Sequence, residues 1–356
     1  MCKVKSSKGT AASALFLLCV CLASASLGAP RQVIIDTDPG TDDAIAIMLA
    51  LNSPELVVRA LTVVPGNVTA AQGLDNALRL VSLAHRCDVP VAAGAKKPFI
   101  SILTTGEAWH GKNGLADIQL PAPTCTVDRR WAPDLIIEMV HAAPNELSLI
   151  AIGPLTNIAL AVEKDPSIVA LVKDVIIMGG SISGGNVTPA AEFNIYTDPE
   201  AAQIVFAAGW TVTMVGLDVC DKTLLTRAKL ELLAHEAEPI GRFVYAVGEF
   251  LVGKAQQSGK TGTAMYDPLA VGVAIDSTLV QTVPLHVEIE TNGALTRGET
   301  VANRGGVVKR RELHSFPDGD RYVITGVEPA IRNARVATTV QADRFIDLLV
   351  SRIRGK

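Results

Sequence analysis

A cluster of acidic side chains near the start of the chain is the strongest sign of chemistry in this sequence. Four carboxylates fall within eight residues, directly after an apolar run at 33–35, and belong to Asp36, Asp38, Asp42 and Asp43. Carboxylates this close repel one another unless a cation neutralises them, and oxygen ligands favour Ca²⁺ or Mg²⁺ over zinc. Helix capping in a solvated turn would explain one or two of the four, so the cluster predicts a divalent-cation site.

Polar side chains that could bind a polyol follow other apolar runs. Asn67 comes after the run at 57–64, and Asn186 lies in a glycine-rich stretch. Glu192 and Asn194 are two residues apart, so in an extended segment both side chains would point the same way. An isolated asparagine is more often a turn former, but the expected convergence of these residues on one sheet edge favours a binding role.

Two further candidates lie outside these loops. Asp267 precedes Pro268 at the start of an apolar helix, where it is either a routine N-cap or a cation ligand from the far side of the site. His110 stands between Trp109 and Gly111, and a lone histidine is more often a surface or structural residue than a functional one. The neighbouring tryptophan and glycines favour a mobile lid that stacks on a planar base.

Short β-branched apolar runs alternate with helical segments along the chain. Strands are predicted at 33–35, 57–64, 89–92, 147–152, 175–178 and 211–215, and after residue 280 at 283–290 and 322–326. Helices are predicted at 43–51, 70–84, 133–141, 157–162, 199–207 and 342–353. This order is typical of an α/β fold with a doubly wound, mostly parallel sheet flanked by helices, whose ligands bind beyond the carboxyl ends of the strands.

The amino-terminal residues have the pattern of an export signal. Three lysines precede a short apolar stretch at 11–22, and small residues follow it. We therefore expect a secretory signal peptide at 1–29, a single domain at 30–356 and a periplasmic or secreted protein, with a membrane anchor as the alternative. No later stretch of the sequence is long and apolar enough to span a membrane.

Composition and cysteine content narrow the class of partner. The 356 residues are 49% hydrophobic with a formal net charge of −4, which suits a globular chain and offers no basic stripe to DNA or RNA.

Three cysteines remain after residue 29: Cys87, Cys125 and Cys220. They lack the close spacing in pairs that is typical of a structural zinc site. An oxidising compartment would allow one disulfide among them, and the sequence does not assign it.

From residue 33 to the final helix, the sequence resembles the inosine-uridine-preferring nucleoside hydrolase family. The most specific element is the run IIDTDPGTDDA at 34–44. Supporting elements are GPLTNIA at 153–159, IMGG at 177–180, AEFN at 191–194 and the pair Asp267-Pro268. The resemblance implies hydrolysis of the N-glycosidic bond of ribonucleosides to ribose and free base, by a homodimer or homotetramer.

The resemblance also implies a role for each candidate residue. A Ca²⁺ would be bound by Asp38, Asp43, Asp267 and the backbone carbonyl of Ile152. The ribose would be held by Asp42, Asn67, Asn186, Glu192, Asn194 and Asp267, with Met178 beneath the sugar. Asp38 would act as general base on a Ca²⁺-bound water, in a reaction whose transition state has oxocarbenium character.

One residue departs from the family pattern. Well-known nonspecific members carry a histidine immediately before the aspartate that matches Asp267, and this histidine protonates the leaving base, whereas this chain has Tyr266. A tyrosine hydroxyl, with a pKa of about 10, is a poorer acid at neutral pH and would act through a relay or stack on the base. His110 matches a base-side histidine of the family, and a sandwich of Trp109 and Tyr266 would favour purines.

Two other functions fit parts of the pattern. A haloacid-dehalogenase-type phosphatase also has D-x-D after its first strand, but that pattern has Thr or Val where this chain has Gly40. A non-catalytic, Ca²⁺-dependent nucleoside-binding protein is kept open by Tyr266. Release of free ribose from a nucleoside distinguishes all three.

Overall fold

The computed structural model describes Met1, residues 29–236 and residues 238–355. The predicted signal peptide at 1–29 therefore lies almost entirely outside the described residues, and export stays a prediction. Within the described part of the chain, no helix combines the length and the apolar character that a membrane crossing requires.

Strands and helices alternate through most of the described chain. The strands are β1 (Arg31–Thr37), β2 (Leu56–Val63), β3 (Val91–Ala93), β4 (Val127–Asp128), β5 (Leu147–Ala151), β6 (Asp174–Met178), β7 (Val212–Val215), β8 (Leu224–Thr226), β9 (Gly262–Ala264), β10 (Val280–Ile289), β11 (Thr300–Asn303), β12 (Val307–Phe316), β13 (Gly319–Pro329) and β14 (Ala334–Val340). The α-helices are α1 (Thr41–Leu51), α2 (Ala70–Leu83), α3 (Glu107–His110), α4 (Ala132–Ala142), α5 (Thr156–Lys164), α6 (Phe193–Thr197), α7 (Pro199–Ala207), α8 (Leu217–Cys220), α9 (Arg227–Leu230), α10 (Pro239–Gln257), α11 (Tyr266–Ile275) and α12 (Ala342–Ile353).

Ten strands form one sheet, in the order β11-β10-β14-β7-β6-β5-β1-β2-β3-β4. The strands from β14 to β4 run parallel to their neighbours, and β10 and β11 add an antiparallel edge. Successive strands build outward from β1 on one side and from β5 on the other, so the strand order reverses between these two neighbours. The doubly wound, mostly parallel sheet predicted from the sequence is confirmed, and its reversal point is where such sheets bind ligands.

Two hydrophobic cores cover the two faces of the sheet. Along β1, Val33 and Ile35 enter one core and Ile34 enters the other. Helices α1, α2, α10, α11 and α12 pack on the first face, and α4, α5 and α7 pack on the second. Because both faces are covered, the central strands are continuous apolar runs, which is why their pattern was readable in the sequence.

The predicted elements agree with the observed ones most closely where the apolar period is regular. The helices predicted at 199–207 and 342–353 match α7 and α12 residue for residue. Helix α1 begins at Thr41, two residues before the predicted start, because the Asp43 carboxylate accepts the Gly40 N–H and closes an earlier first turn.

Several elements of the last third of the chain were not predicted. The 19-residue helix α10 contains Gly241, Gly248 and Gly253, which weaken a helical pattern. Strand β14 has an irregular mixture of apolar and polar residues and lies parallel to β7 within the main sheet. The strand predicted at 322–326 is one part of a separate two-stranded ribbon formed by β12 and β13.

One disulfide is present in the described chain. It joins Cys87, in the turn after α2, to Cys125, just before β4. Cys220 is buried with a free thiol. The structure thus gives the pairing that the sequence left open.

Candidate active site

The polar residues of the site gather where β1 and β5 end side by side. The loop after β1 contains the acidic cluster, and the loop after β5 begins at Ile152, whose N–H donates to the Asp36 carbonyl at 2.8 Å. Asp36 itself faces away from the cluster. Its carboxylate accepts hydrogen bonds from Thr62 Oγ1 at 2.5 Å and Asn157 Nδ2 at 2.8 Å, so it fastens β1 to β2 and α5.

Asp43 is buried and stabilises the turn that carries the cluster. Its Oδ1 accepts from Thr37 Oγ1 at 2.5 Å, and its Oδ2 accepts from the N–H of Gly40 and from Asn67 Nδ2, each at 2.9 Å. Burial raises the pKa of Asp43, and the neighbouring charge of Asp42 raises it further. The hydrogen bonds fix the direction of this carboxylate but leave its negative charge without a cationic partner within the described residues.

Asp38 has one oxygen occupied and one free. Oδ2 accepts the N–H of Asn67 at 2.6 Å, whereas Oδ1 is buried without a hydrogen-bond partner in the described part of the chain. Burial, followed by the charge of Asp43, raises the pKa of Asp38 well above its ordinary value. A buried oxygen with no protein donor is positioned to accept a proton or to bind a cation.

Asp267 reaches the acidic cluster from α11, more than 200 residues along the chain. It is the second residue of the helix, after the N-cap Met265, so the interpretation of Asp267 as an N-cap is wrong. Carboxylate oxygens of Asp42, Asp43 and Asp267 lie within 4.8 Å of one another. Burial, followed by the charge of Asp42, raises the pKa of Asp267 well above its ordinary value.

The donor set fits a hard divalent cation. All its side-chain ligands are carboxylate oxygens, the type that Ca²⁺ and Mg²⁺ prefer. Asp42 Oδ1, like Asp38 Oδ1, is buried without a hydrogen-bond partner in the described chain. The acidic cluster predicted from the sequence includes Asp42, whereas the family resemblance implies a ribose contact for it; the structure groups its carboxylate with those of Asp43 and Asp267.

Asn194 links the ends of β5 and β6. Its Nδ2 donates to the carbonyl of Ile152 at 3.2 Å and to the carbonyl of Met178 at 3.1 Å, and it lies 3.4 Å from Met178 Sδ. Three predicted site residues are thus brought together. The Ile152 carbonyl, expected to bind the cation, accepts an amide hydrogen bond here.

Glu192 and Asn194 do not form the extended pair predicted from their spacing. Glu192 is the N-cap of α6, and its carboxylate accepts the N–H groups of Asn194 at 2.9 Å, Gly180 at 2.9 Å and Ile195 at 3.1 Å. Burial raises the pKa of Glu192 to about 6, although these donors lower it. The prediction was wrong because the first turn of a helix, not a strand, separates the two side chains.

The two remaining asparagines support neighbouring backbone and carboxylates. Asn67 donates from its backbone to Asp38 and from its side chain to Asp43. Asn186 Oδ1 accepts the Phe193 N–H at 3.0 Å, so it fastens the loop before α6. Asn67 is therefore part of the acidic cluster, while Asn186 contacts the segment that carries Glu192.

His110 and Trp109 occupy the short helix α3, beside the first turn of α1. His110 Nδ1 accepts hydrogen bonds from the Thr41 N–H at 3.2 Å and Thr41 Oγ1 at 2.8 Å, and it lies 3.6 Å from Asp42 Oδ1. Because Nδ1 accepts, the proton of the neutral ring is on Nε2. Burial lowers the pKa of His110 to about 4, so the ring is neutral at pH 7. The side chain of Trp109 is 65% exposed.

Tyr266 lies next to Asp267 and has a partner that the sequence did not suggest. Its hydroxyl donates to Asp221 Oδ1 at 3.0 Å. Burial, and next the charge of Asp221, raises the pKa of Tyr266. Among the described residues, no direct ring contact joins Tyr266 to Trp109. A sandwich would hold the base between the two rings, so it stays a prediction.

Comparison with known proteins gives one consistent family. A model of the family described as inosine-uridine preferring nucleoside hydrolase matches residues 33–347. The pyrimidine-specific ribonucleoside hydrolase RihA of Salmonella arizonae is 39% identical over 324 residues, which cover 90% of this chain and 98% of that enzyme.

Solved structures of the same class superpose over most of the chain. The plant nucleoside hydrolase PpNRh1 is 36% identical, with a TM-score of 0.81 over 91% of this chain and 99% of that one. A purine-preferring ribonucleoside hydrolase from Gardnerella vaginalis is 32% identical, also with a TM-score of 0.81, over 91% of this chain and 98% of that one.

Proposed function

Because the chain belongs to the inosine-uridine preferring nucleoside hydrolase family, and is thus an enzyme that hydrolyses N-glycosyl bonds of ribonucleosides, we propose that Asp38 and a bound Ca²⁺ supply the chemistry. The observation that carries this proposal is the free, buried Oδ1 of Asp38 beside three carboxylates with no cationic partner in the described chain.

Asp38, Asp42, Asp43 and Asp267 would hold the Ca²⁺, together with the Ile152 carbonyl, which has a second lone pair beside the one that accepts from Asn194. The donor chemistry and the raised carboxylate pKa values support this assignment, because burial, and next the mutual repulsion of the carboxylates, raises these pKa values and a cation would offset both effects. When bound, a divalent cation acidifies a ligated water and orients the sugar hydroxyls.

Asp38 would then accept a proton from the attacking water. The water oxygen forms a bond to C1′ of the ribose as the C1′–N bond breaks, and the bonding electrons leave with the base, which takes up a proton. The charge that develops on the sugar is positive, so the surrounding carboxylates stabilise it. Oδ1 of Asp38 accepts no hydrogen bond within the described residues, so it is free to take the proton.

The ribose would lie on Met178, between the cation and the loops that carry Asn67, Asn186, Glu192 and Asn194, with Asp42 and Asp267 reaching its hydroxyls. Support comes from the position of the acceptor and amide groups around the ends of β5 and β6. Several of these groups form hydrogen bonds with one another in this structure, so a bound sugar would replace some of these hydrogen bonds.

Tyr266 and His110 would donate hydrogen bonds to the departing base. His110 carries its proton on Nε2, whereas the Tyr266 O–H now donates to Asp221 and would turn away from it to donate to the base. Since His110 is neutral at pH 7, it donates as imidazole rather than as imidazolium.

Trp109 would stack on the base, and this aromatic surface predicts a preference for purines. Comparing kcat/KM for inosine and uridine tests this preference. A strong preference for uridine would contradict the predicted purine preference.

We also propose export through the amino-terminal signal, and assembly into a dimer or tetramer. The disulfide between Cys87 and Cys125 supports an oxidising compartment. Mass spectrometry of the protein expressed with its full signal shows whether the signal is removed, which tests export. Light scattering of the purified enzyme tests assembly.

The phosphatase alternative has no support among these relatives.

The role of Asp38 is tested by Asp38→Asn in a ribose-release assay with inosine and uridine. We expect kcat to fall by at least about 100-fold, the usual contribution of a general base, while the protein stays folded by circular dichroism. Asp343→Asn, in the exposed first turn of α12, is the matched control and should keep full activity. Full turnover by folded Asp38→Asn would overturn the assignment.

A further inference from the structure

The turn that carries Trp109 and His110 is anchored from both sides. On the inner side, His110 contacts Thr41 and lies close to Asp42. On the outer side, the long helix α10 provides Lys254, whose Nζ donates to the carbonyl of Ala108. A four-residue helix has little stability of its own, so its position depends on such outside contacts.

Lys254 also contacts the ring that α3 exposes. Its Nζ lies 5.9 Å from the centroid of the Trp109 ring and 4.9 Å from that of Phe250. Phe250 and Lys254 are four residues apart on α10, so both side chains lie on the helix face that meets the turn. A cation within about 6 Å of an aromatic face is attracted to it, so Lys254 holds both the backbone and the ring of the turn.

The helix that carries Lys254 is firmly seated. Val247 and Val252 are fully buried in the core, and α10 packs against α1, the helix that begins in the acidic cluster. Lys254 therefore connects Trp109 to the same rigid body that positions the carboxylates. One face of the Trp109 ring meets the ammonium group, while the side chain remains 65% exposed and can accept another flat group.

We propose that Lys254 is a positioning residue for the nucleobase: it holds the Trp109 ring so that the exposed surface of the ring receives the base of the substrate. This inference rests on the nucleoside hydrolysis proposed above. Lys254 acts through Trp109 and not on the sugar, so its removal weakens the binding of the base and leaves the chemistry at C1′ in place.

The test compares Lys254→Ala, Lys254→Arg and the control Lys260→Ala, an exposed lysine beyond the end of α10. With Lys254→Ala we expect KM for inosine to rise about tenfold while kcat changes less than about twofold, because the acidic cluster is untouched and His110 keeps its contact with Thr41. Lys254→Arg, which keeps the charge near the ring, should restore most of the affinity, and Lys260→Ala should match the wild type.

Calorimetric binding of free hypoxanthine and free ribose separates this role from a general structural one and needs no turnover. Lys254→Ala should weaken hypoxanthine about tenfold and leave ribose unchanged. In a Trp109→Ala background, the same substitution should have no further effect on hypoxanthine. Equal weakening of hypoxanthine and ribose binding by Lys254→Ala would overturn the proposal. So would an effect of Lys254→Ala on hypoxanthine that is as large without Trp109 as with it. If the wild type releases no ribose, the proposed function is wrong instead.

Discussion

At the scale of single residues, the position of Asp38 depends on two glycines as much as on its own hydrogen bond. A Cβ atom at Gly66 would lie 2.0 Å from Asp38 Oδ2, and one at Gly153 would lie 2.6 Å from Oδ1. Both distances are far below van der Waals contact. The carboxylate is held by the Asn67 N–H, so it has no free direction in which to move.

Gly66→Ala should therefore disable catalysis without touching any charged group. We expect kcat for inosine to fall by at least about tenfold, because the added methyl group must displace the Asp38 carboxylate, and small misplacements at a reacting centre cost large factors in rate. Ribose release measures the loss. Gly253→Ala, where an added Cβ meets nothing within 4 Å, is the matched control. Equal activity of the two variants would contradict this account of Asp38.

The residue types and their spacing were enough to find the acidic cluster, but they did not predict the hydrogen-bond partners of the site residues. Four clustered carboxylates predicted a cation site, and the structure brings Asp42, Asp43 and Asp267 together. Spacing alone could not show that Glu192 caps a helix, because the direction of a side chain depends on local backbone structure. Asp221, the partner of Tyr266, carries no motif, and only the fold brings the two together.

At the scale of the elements, regular apolar periodicity decided what could be predicted. The central parallel strands were recognisable because both of their faces are buried. Strand β14 was not recognisable, since its apolar and polar residues follow no regular period and its place beside β7 is fixed by long-range pairing. Helix α10 was hidden by three glycines, yet it packs against α1 and carries Lys254.

The glycines of α10 also give a prediction for stability. Gly253→Ala should increase the free energy of unfolding by about 0.5–1 kcal/mol, because alanine loses less backbone entropy in a helix and the site has room for the methyl group. Urea denaturation of the variant and the wild type measures the difference. A lower stability of the variant would show that the space beside Gly253 is filled, for instance by another subunit.

At the scale of the whole molecule, a disulfide bond joins two distant parts of the chain. The disulfide spans a sequence separation of 38 residues, away from the acidic cluster. Closing a loop of this length lowers the entropy of the unfolded chain, which stabilises the folded one by about 4 kcal/mol in the chain-entropy relation.

The double substitution Cys87→Ser with Cys125→Ser should therefore lower the free energy of unfolding by about 2–4 kcal/mol and leave kcat near the wild-type value. Urea denaturation and ribose release measure the two quantities. The wild type in reductant should behave like the variant. An equal stability of oxidised wild type and variant would show that the bond does not constrain the unfolded chain.

The most direct measurement for the whole account is a calorimetric titration of chelator-treated enzyme with Ca²⁺, paired with ribose release at each point. The wild type should bind one ion per chain, gain thermal stability and recover activity in proportion to occupancy. Folded Asp267→Asn should lose most of that affinity, since it removes the ligand supplied from α11. Full ribose release in the presence of chelator, or unchanged Ca²⁺ binding by Asp267→Asn, would contradict the central claim.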